Sequence, residues 1–264
     1  MQVLVHDDVR IDVRDDGNGD DAIVLLHGFP LTSEIWNAQI PELSRAHRVI
    51  VADLRGMGKS SVADGPYLME TLAGDIAAVL DALAIPRATI VGHSLGGYVA
   101  LAFARMYSER IARLALVCSR ISADTTDRAK HRYELADDAD RTGSASAILD
   151  DAIPPLFAQE TLHAMPEMLE NTREIASANT AKGLAAMLRG MALRDPADDI
   201  APDLQMPVLV VAGYSDCLVP LAEAEAMARA FPSARLEVAK ASGHLPMLEE
   251  PAWMSEVLLG FTAG

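Results

Sequence analysis

The chain has 264 residues, half of them hydrophobic and 23% charged, a globular composition with apolar material for a large packed core. Acidic residues outnumber Lys and Arg by 38 to 22, for a formal net charge of -16, which argues against nucleic acid or an anionic membrane as a partner. Two cysteines are too few for a disulfide scaffold. There is no signal-peptide pattern at the N-terminus, no Asn-x-Ser/Thr sequon and no run approaching the roughly 18 apolar residues of a membrane span. A soluble, cytoplasmic protein is expected, its oligomeric state left open.

Gln2–His6 and Val9–Arg14 are short β-like runs, and the Asp7-Asp8 pair between them predicts a hairpin. The acidic stretch Asp15–Asp21 fits a polar turn better than a calcium loop: Asp21 would stand where such a loop needs Gly, and His27 where it needs Glu. Ala22–His27 is a continuous apolar run ending at Gly28, as for a strand buried on both faces. Ser33–Ala46 is expected to be helical. Arg48–Asp53 is the next strand, and Leu68–Leu83 an amphipathic helix. Ala88–Val91, Leu95–Tyr107 and Ile111–Cys118 continue as strand, helix and strand. Residues 122–205 then read as helix without a convincing strand. Met206–Gly213 and Ala234–Ala239 resume the strands, with helices expected at Val219–Phe231 and Pro251–Phe261. The order predicts an α/β fold with a mostly parallel sheet of about eight strands, helices on both faces and one helical insertion. The core is 1–120 with 206–264, and the insertion is 121–205.

Gly92-His93-Ser94-Leu95-Gly96 stands between a strand and a helix, the context a nucleophile elbow requires. Only small residues fit two positions either side of the serine. The helix N-terminus favours negative charge developing beside it. A serine hydroxyl needs an adjacent base. Of seven histidines, only His244 lies in a loop past the last strand. The acid that orients it is assigned to Asp216, in the short turn after Met206–Ala212. Asp124, in the segment after Ile111–Cys118, is the weaker alternative. Cys217 has no histidine partner in view and is assigned to packing. An oxyanion site needs two backbone donors: the N–H of Leu95, and the N–H of Phe29 in the loop His27-Gly28-Phe29-Pro30.

His27–Pro30, Asp53–Ser60, Gly92–Gly97, the Asp216 turn and Gly243-His244 resemble the α/β-hydrolase superfamily over the whole chain apart from the insertion. The resemblance implies the α/β-hydrolase fold, with the insertion as a helical cap between the sixth and seventh strands. It implies an acyl-enzyme on Ser94 with His244 and Asp216, and no cofactor or metal. Ser94 stands where haloalkane dehalogenases and epoxide hydrolases carry Asp. Among serine members the chain is similar to esterases and oxoadipate enol-lactonase-like enzymes, and small-molecule esters or lactones are the expected substrates. One departure is Met57, where the family often carries His. Met57, His93, Phe157 and Leu245 are expected to contact substrate. An apolar pocket is expected from the insertion, drawn from Ile148, Leu149, Ile153, Leu156, Phe157, Met165, Met168, Leu169, Met187, Leu188 and Met191. Arg128, Arg132, Arg173, Arg189 and Arg194 are candidate carboxylate partners. The same site could serve C–C bond hydrolysis or peracid formation, and the fold could serve a non-catalytic binding protein.

Overall fold

A computed structural model describes residues 1–6 and 8–263. Eight strands form one sheet in the order β1-β2-β4-β3-β5-β6-β7-β8. They are β1 Gln2–His6, β2 Val9–Asp16, β3 Ala22–Leu26, β4 Arg48–Ala52, β5 Ala88–His93, β6 Ile111–Val117, β7 Val208–Gly213 and β8 Ala234–Ala239. The first two form the expected antiparallel hairpin; Asp7 lies outside the described residues. β2 joins β4 antiparallel, and every pairing from β4 to β8 is parallel. β3, apolar throughout, and β5 are buried along their whole length, whereas β8 is a half-exposed edge.

Alternate side chains of each central strand enter opposite layers, as the strand period requires. Val24, Leu26, Ile90, Leu114 and Val210 meet α2 (Met69–Ala82), α3 (Leu95–Tyr107) and α9 (Leu221–Ala230). Ile23, Leu25, Val91, Val117 and Val211 meet α1 (Ile40–Leu43) and α11 (Pro251–Thr262) on the other face. The sheet is therefore covered on both sides.

The helix expected over Ser33–Ala46 is shorter. A 3-10 turn over Ser33–Trp36 precedes the single turn of α1. Pro41 explains the break: within one longer helix it would lack the N–H that bonds four residues back and its ring would crowd the preceding turn.

Five helices fill the segment between β6 and β7: α4 Thr126–Thr142, α5 Ser146–Ala152, α6 Gln159–Ala164, α7 Glu167–Ser177 and α8 Ala181–Ala192. Their buried side chains do not form a core of their own. Ala136, Ile148, Leu184 and Leu188 join one layer of the sheet, and Ile153, Leu156 and Phe157 join the other. α10 (Pro246–Glu249) is a single turn between β8 and α11. No helix among the described residues is long and apolar enough to cross a membrane.

Candidate active site

Ser94 links β5 to α3 with φ +50° and ψ -111°, a left-handed backbone that costs a non-glycine residue about 1–3 kcal/mol. The surroundings hold it there. Its N–H donates to the carbonyl of Val117 at 2.8 Å, and its carbonyl accepts from Ser119 Oγ at 2.9 Å. A Cβ on Gly92 would overlap the carbonyl oxygen of Gly96, and one on Gly96 would come within 2.5 Å of the carbonyl oxygen of Leu26. The two glycines are what let the turn close this tightly.

His244 lies in the loop between β8 and α10 and is buried. Its Nδ1 is 2.7 Å from Asp216 Oδ2. The other Asp216 oxygen accepts from the N–H groups of Leu218 and Val219 at 2.8 and 2.9 Å. Burial opposes the charge on Asp216, but His244 and these two N–H groups outweigh it and hold the carboxyl below its ordinary range. An ionised Asp216 can only accept, so Nδ1 of His244 carries the proton and Nε2 keeps its lone pair. His244 is braced through its backbone: its N–H donates to the carbonyl of Leu156 at 2.9 Å, and its carbonyl lies 2.9 Å from His93 Nε2.

Ser94, His244 and Phe29 open on one cavity of about 320 Å³. Among the described residues no hydrogen bond joins the Ser94 and His244 side chains; such bonds commonly tighten when substrate binds. The N–H of Leu95, at the first position of α3, has no acceptor within its helix.

A model of the alpha/beta hydrolase fold matches residues 21–251. The chain belongs to the alpha/beta hydrolase fold family. It is 28% identical over 252 residues to 3-oxoadipate enol-lactonase 2 of Acinetobacter baylyi, covering 94% of this chain and 91% of that one. A thermophilic esterase from Thermogutta terrifontis, solved with malate bound, superposes with a TM-score of 0.95 at 35% identity, covering 100% of this chain and 97% of that one. The enol-lactonase from Burkholderia xenovorans superposes with a TM-score of 0.89 at 27% identity, covering 97% of each chain.

In this alpha/beta hydrolase the four side chains expected to touch substrate lie outside the cavity lining. Met57 and Leu245 are fully enclosed in the two core layers, and Phe157 is buried in the layer containing Leu245. His93 is fully buried beneath the His244 loop, its Nε2 2.9 Å from the His244 carbonyl and its ring centroid 5.0 Å from that of His244. Of the expected apolar lining, Leu156, Leu188 and Met191 reach the cavity; Ile148, Ile153 and Met187 instead bury their helices against the core.

Three of the five candidate arginines are also elsewhere. Arg173 pairs with Asp150, Arg189 with Asp137 and Asp140, and Arg194 lies over the Tyr98 ring and pairs with Asp124. Arg128 and Arg132 do line the cavity. Asp124, the alternative acid, is taken up by Arg132 and Arg194.

Sequence reasoning missed the cavity positions of Tyr98, Arg120, His131 and Asp151. It also missed Cys118. This thiol follows β6, where an alternative acid was sought, and lies with the Asp216 carboxylate and His244 imidazole in one group whose polar atoms are within 4.8 Å of each other. Burial, with the Asp216 charge added, pushes it well above the usual thiol range.

Proposed function

We propose that the chain is a serine hydrolase that cleaves a carboxylic ester or a lactone. The observation that carries this reading is the His244 Nδ1–Asp216 Oδ2 contact of 2.7 Å, made at the wall of the cavity onto which the strained Ser94 opens. Ser94 Oγ attacks the substrate carbonyl while His244 Nε2 takes its proton. The oxyanion is held by the N–H groups of Phe29 and Leu95, each such donor being worth about 10²–10³ in turnover. His244 then gives the proton to the leaving oxygen as the tetrahedral adduct collapses to an acyl-enzyme. Water, deprotonated by the same imidazole, repeats the sequence and releases the acid. Asp216 fixes the tautomer of His244 throughout. Residues 121–205 act as the cap that closes the cavity from above.

The esterase and enol-lactonase names of its relatives favour oxygen esters and lactones as the substrate class. The test is labelling by a fluorophosphonate, with turnover of a panel of methyl and aryl esters and lactones. Wild type is expected to label at Ser94 and to hydrolyse part of the panel. Ser94→Ala is expected to lose both. Undiminished turnover by clean Ser94→Ala protein overturns the serine mechanism.

A further inference from the structure

Of the three arginines on the cavity wall, one has no ion pair among the described residues. Arg120 pairs with Glu223 at 3.4 Å and donates to the carbonyl of Leu218. Arg132 contacts Asp124 at 2.5 Å. His131 lies 2.9 Å from Asp151. Each of these three side chains has an acidic partner. Arg128 lies among them on the same wall, half-buried, and among the described residues its guanidinium has neither an ion pair nor a hydrogen bond.

That placement costs stability in several ways. Burial disfavours the charge, and the neighbouring Arg120 repels it; together they push the guanidinium down from its usual range. Arg128 also sits in the first turn of α4, where the helix dipole disfavours a cation. An arginine stays protonated regardless, so the penalty remains until an anion arrives. The nearby carboxylates are engaged elsewhere, Asp151 by His131 and Asp124, whose charge reaches Arg128, by Arg132 and Arg194, and neither pairs with Arg128. The same cavity has Leu135, Leu188 and Met191 for an apolar chain and Ser94 for a scissile carbonyl. A planar guanidinium with a free fork of N–H donors matches the two oxygens of a carboxylate.

We infer that Arg128 is a specificity-determining residue that binds a free carboxylate on the substrate, so that the preferred substrates are esters or lactones carrying one. The inference rests on the serine-hydrolase reading for the reacting end of the substrate and on Arg128 for the other end.

The test compares monomethyl succinate, glutarate and adipate with the methyl esters of unsubstituted acids of matching length. Wild type is expected to favour at least one half-ester in kcat/KM. Arg128→Gln is expected to lower that preference roughly tenfold to a hundredfold, mainly through KM. Arg128→Lys is expected to retain part of it. Arg189→Gln, whose half-buried side chain lies outside the cavity, is expected to leave it unchanged. Thermal midpoints provide a second readout: removing an unpaired cation raises the midpoint or leaves it unmoved, whereas a structural arginine would lower it.

Calorimetric titration with glutarate tests the carboxylate site without any turnover. Glutarate binding that Arg128→Gln abolishes supports the site even if Ser94 proves inert, which would sink only the hydrolase reading. Equal use of acidic and neutral esters by wild type overturns the inference, as does a half-ester preference that survives in Arg128→Gln. Either result leaves the serine mechanism standing.

Discussion

Glu249 holds Gly243, the residue before His244, by accepting its N–H at 2.8 Å. The same oxygen accepts from Leu245 at 3.3 Å. Its other oxygen accepts from the N–H of Ala158 at 3.0 Å and the hydroxyl of Thr161 at 2.6 Å. One carboxylate thus fastens the His244 loop to the helical segment above it. The His244 N–H, bonded to the Leu156 carbonyl, is a second tie between the same two segments.

A glutamine at 249 keeps one accepting oxygen but turns an NH2 toward donors on its other side. Glu249→Gln is therefore expected to lower kcat by roughly tenfold to a hundredfold, because a small displacement of His244 from Ser94 spoils the attack geometry. KM should change less. Steady-state kinetics well below the melting temperature check this; an unchanged kcat would show that the loop keeps its position without the clamp.

Asp216→Asn should lower kcat by about 10⁴ with the fold intact. The amide can donate to Nδ1 and so place the imidazole proton on Nε2, where the base is needed. Asp216 has a second effect. Its carboxyl is held below the ordinary range, so the ionised form stabilises the fold above about pH 3.9, and this contribution is lost as pH falls through the folded value. Acid unfolding of Asp216→Asn should therefore show less pH dependence below about pH 4 than that of wild type, as followed by circular dichroism.

The fold and the catalytic candidates were legible because both follow from local rules. β3 is apolar at every position, the pattern of a strand covered on both faces. The glycines at 92 and 96 mark a turn that excludes side chains. Asp216 and His244 each follow a strand at the same sheet edge. The cavity wall was not legible, because which neighbour faces inward depends on how the helices between β6 and β7 settle. Leu156 reaches the cavity and Phe157 the core, a choice no periodicity in that irregular stretch announces. Charge pairing is similarly non-local. Arg189 and Arg128 look alike in sequence, but two acidic residues of α4 meet the first and none meets the second.

The elbow glycines and a distant one should respond in opposite directions to the same change. Gly96→Ala puts a methyl against the Leu26 carbonyl of the adjacent strand, a backbone contact that cannot swing aside. It is expected to yield little or no folded protein. A Cβ on Gly260, within α11, meets nothing within 4 Å. Gly260→Ala is therefore expected to stabilise the chain by roughly 0.5–1 kcal/mol through helix propensity alone. Denaturant unfolding of Gly260→Ala and the soluble yield of Gly96→Ala check the pair.

Stability should also fall as pH drops from 7.5 to 5.5, and buried imidazoles are the reason. His27 Nε2 accepts from the N–H of Leu54 at 3.0 Å, so its proton sits on Nδ1, which faces the carbonyl of Gly28 at 3.0 Å. A second proton would have to displace the Leu54 N–H. His93 Nε2 bonds the His244 carbonyl, and its buried Nδ1 has no partner among the described residues. Burial holds both imidazoles below their ordinary range, His93 far below, with the neighbouring His244 adding to the effect there. Unfolding returns them to water, where they take up protons below about pH 6.5. The unfolded state then binds more protons than the folded one, and each imidazole subtracts up to about 1.4 kcal/mol per pH unit. Chemical denaturation at pH 7.5, 6.5 and 5.5 measures the slope. His27→Gln, which can still accept from Leu54, should be less stable at pH 7.5 but lose stability more slowly on acidification. A wild-type profile that stays level across this range would mean that these imidazoles are protonated in the folded chain as readily as in the unfolded one.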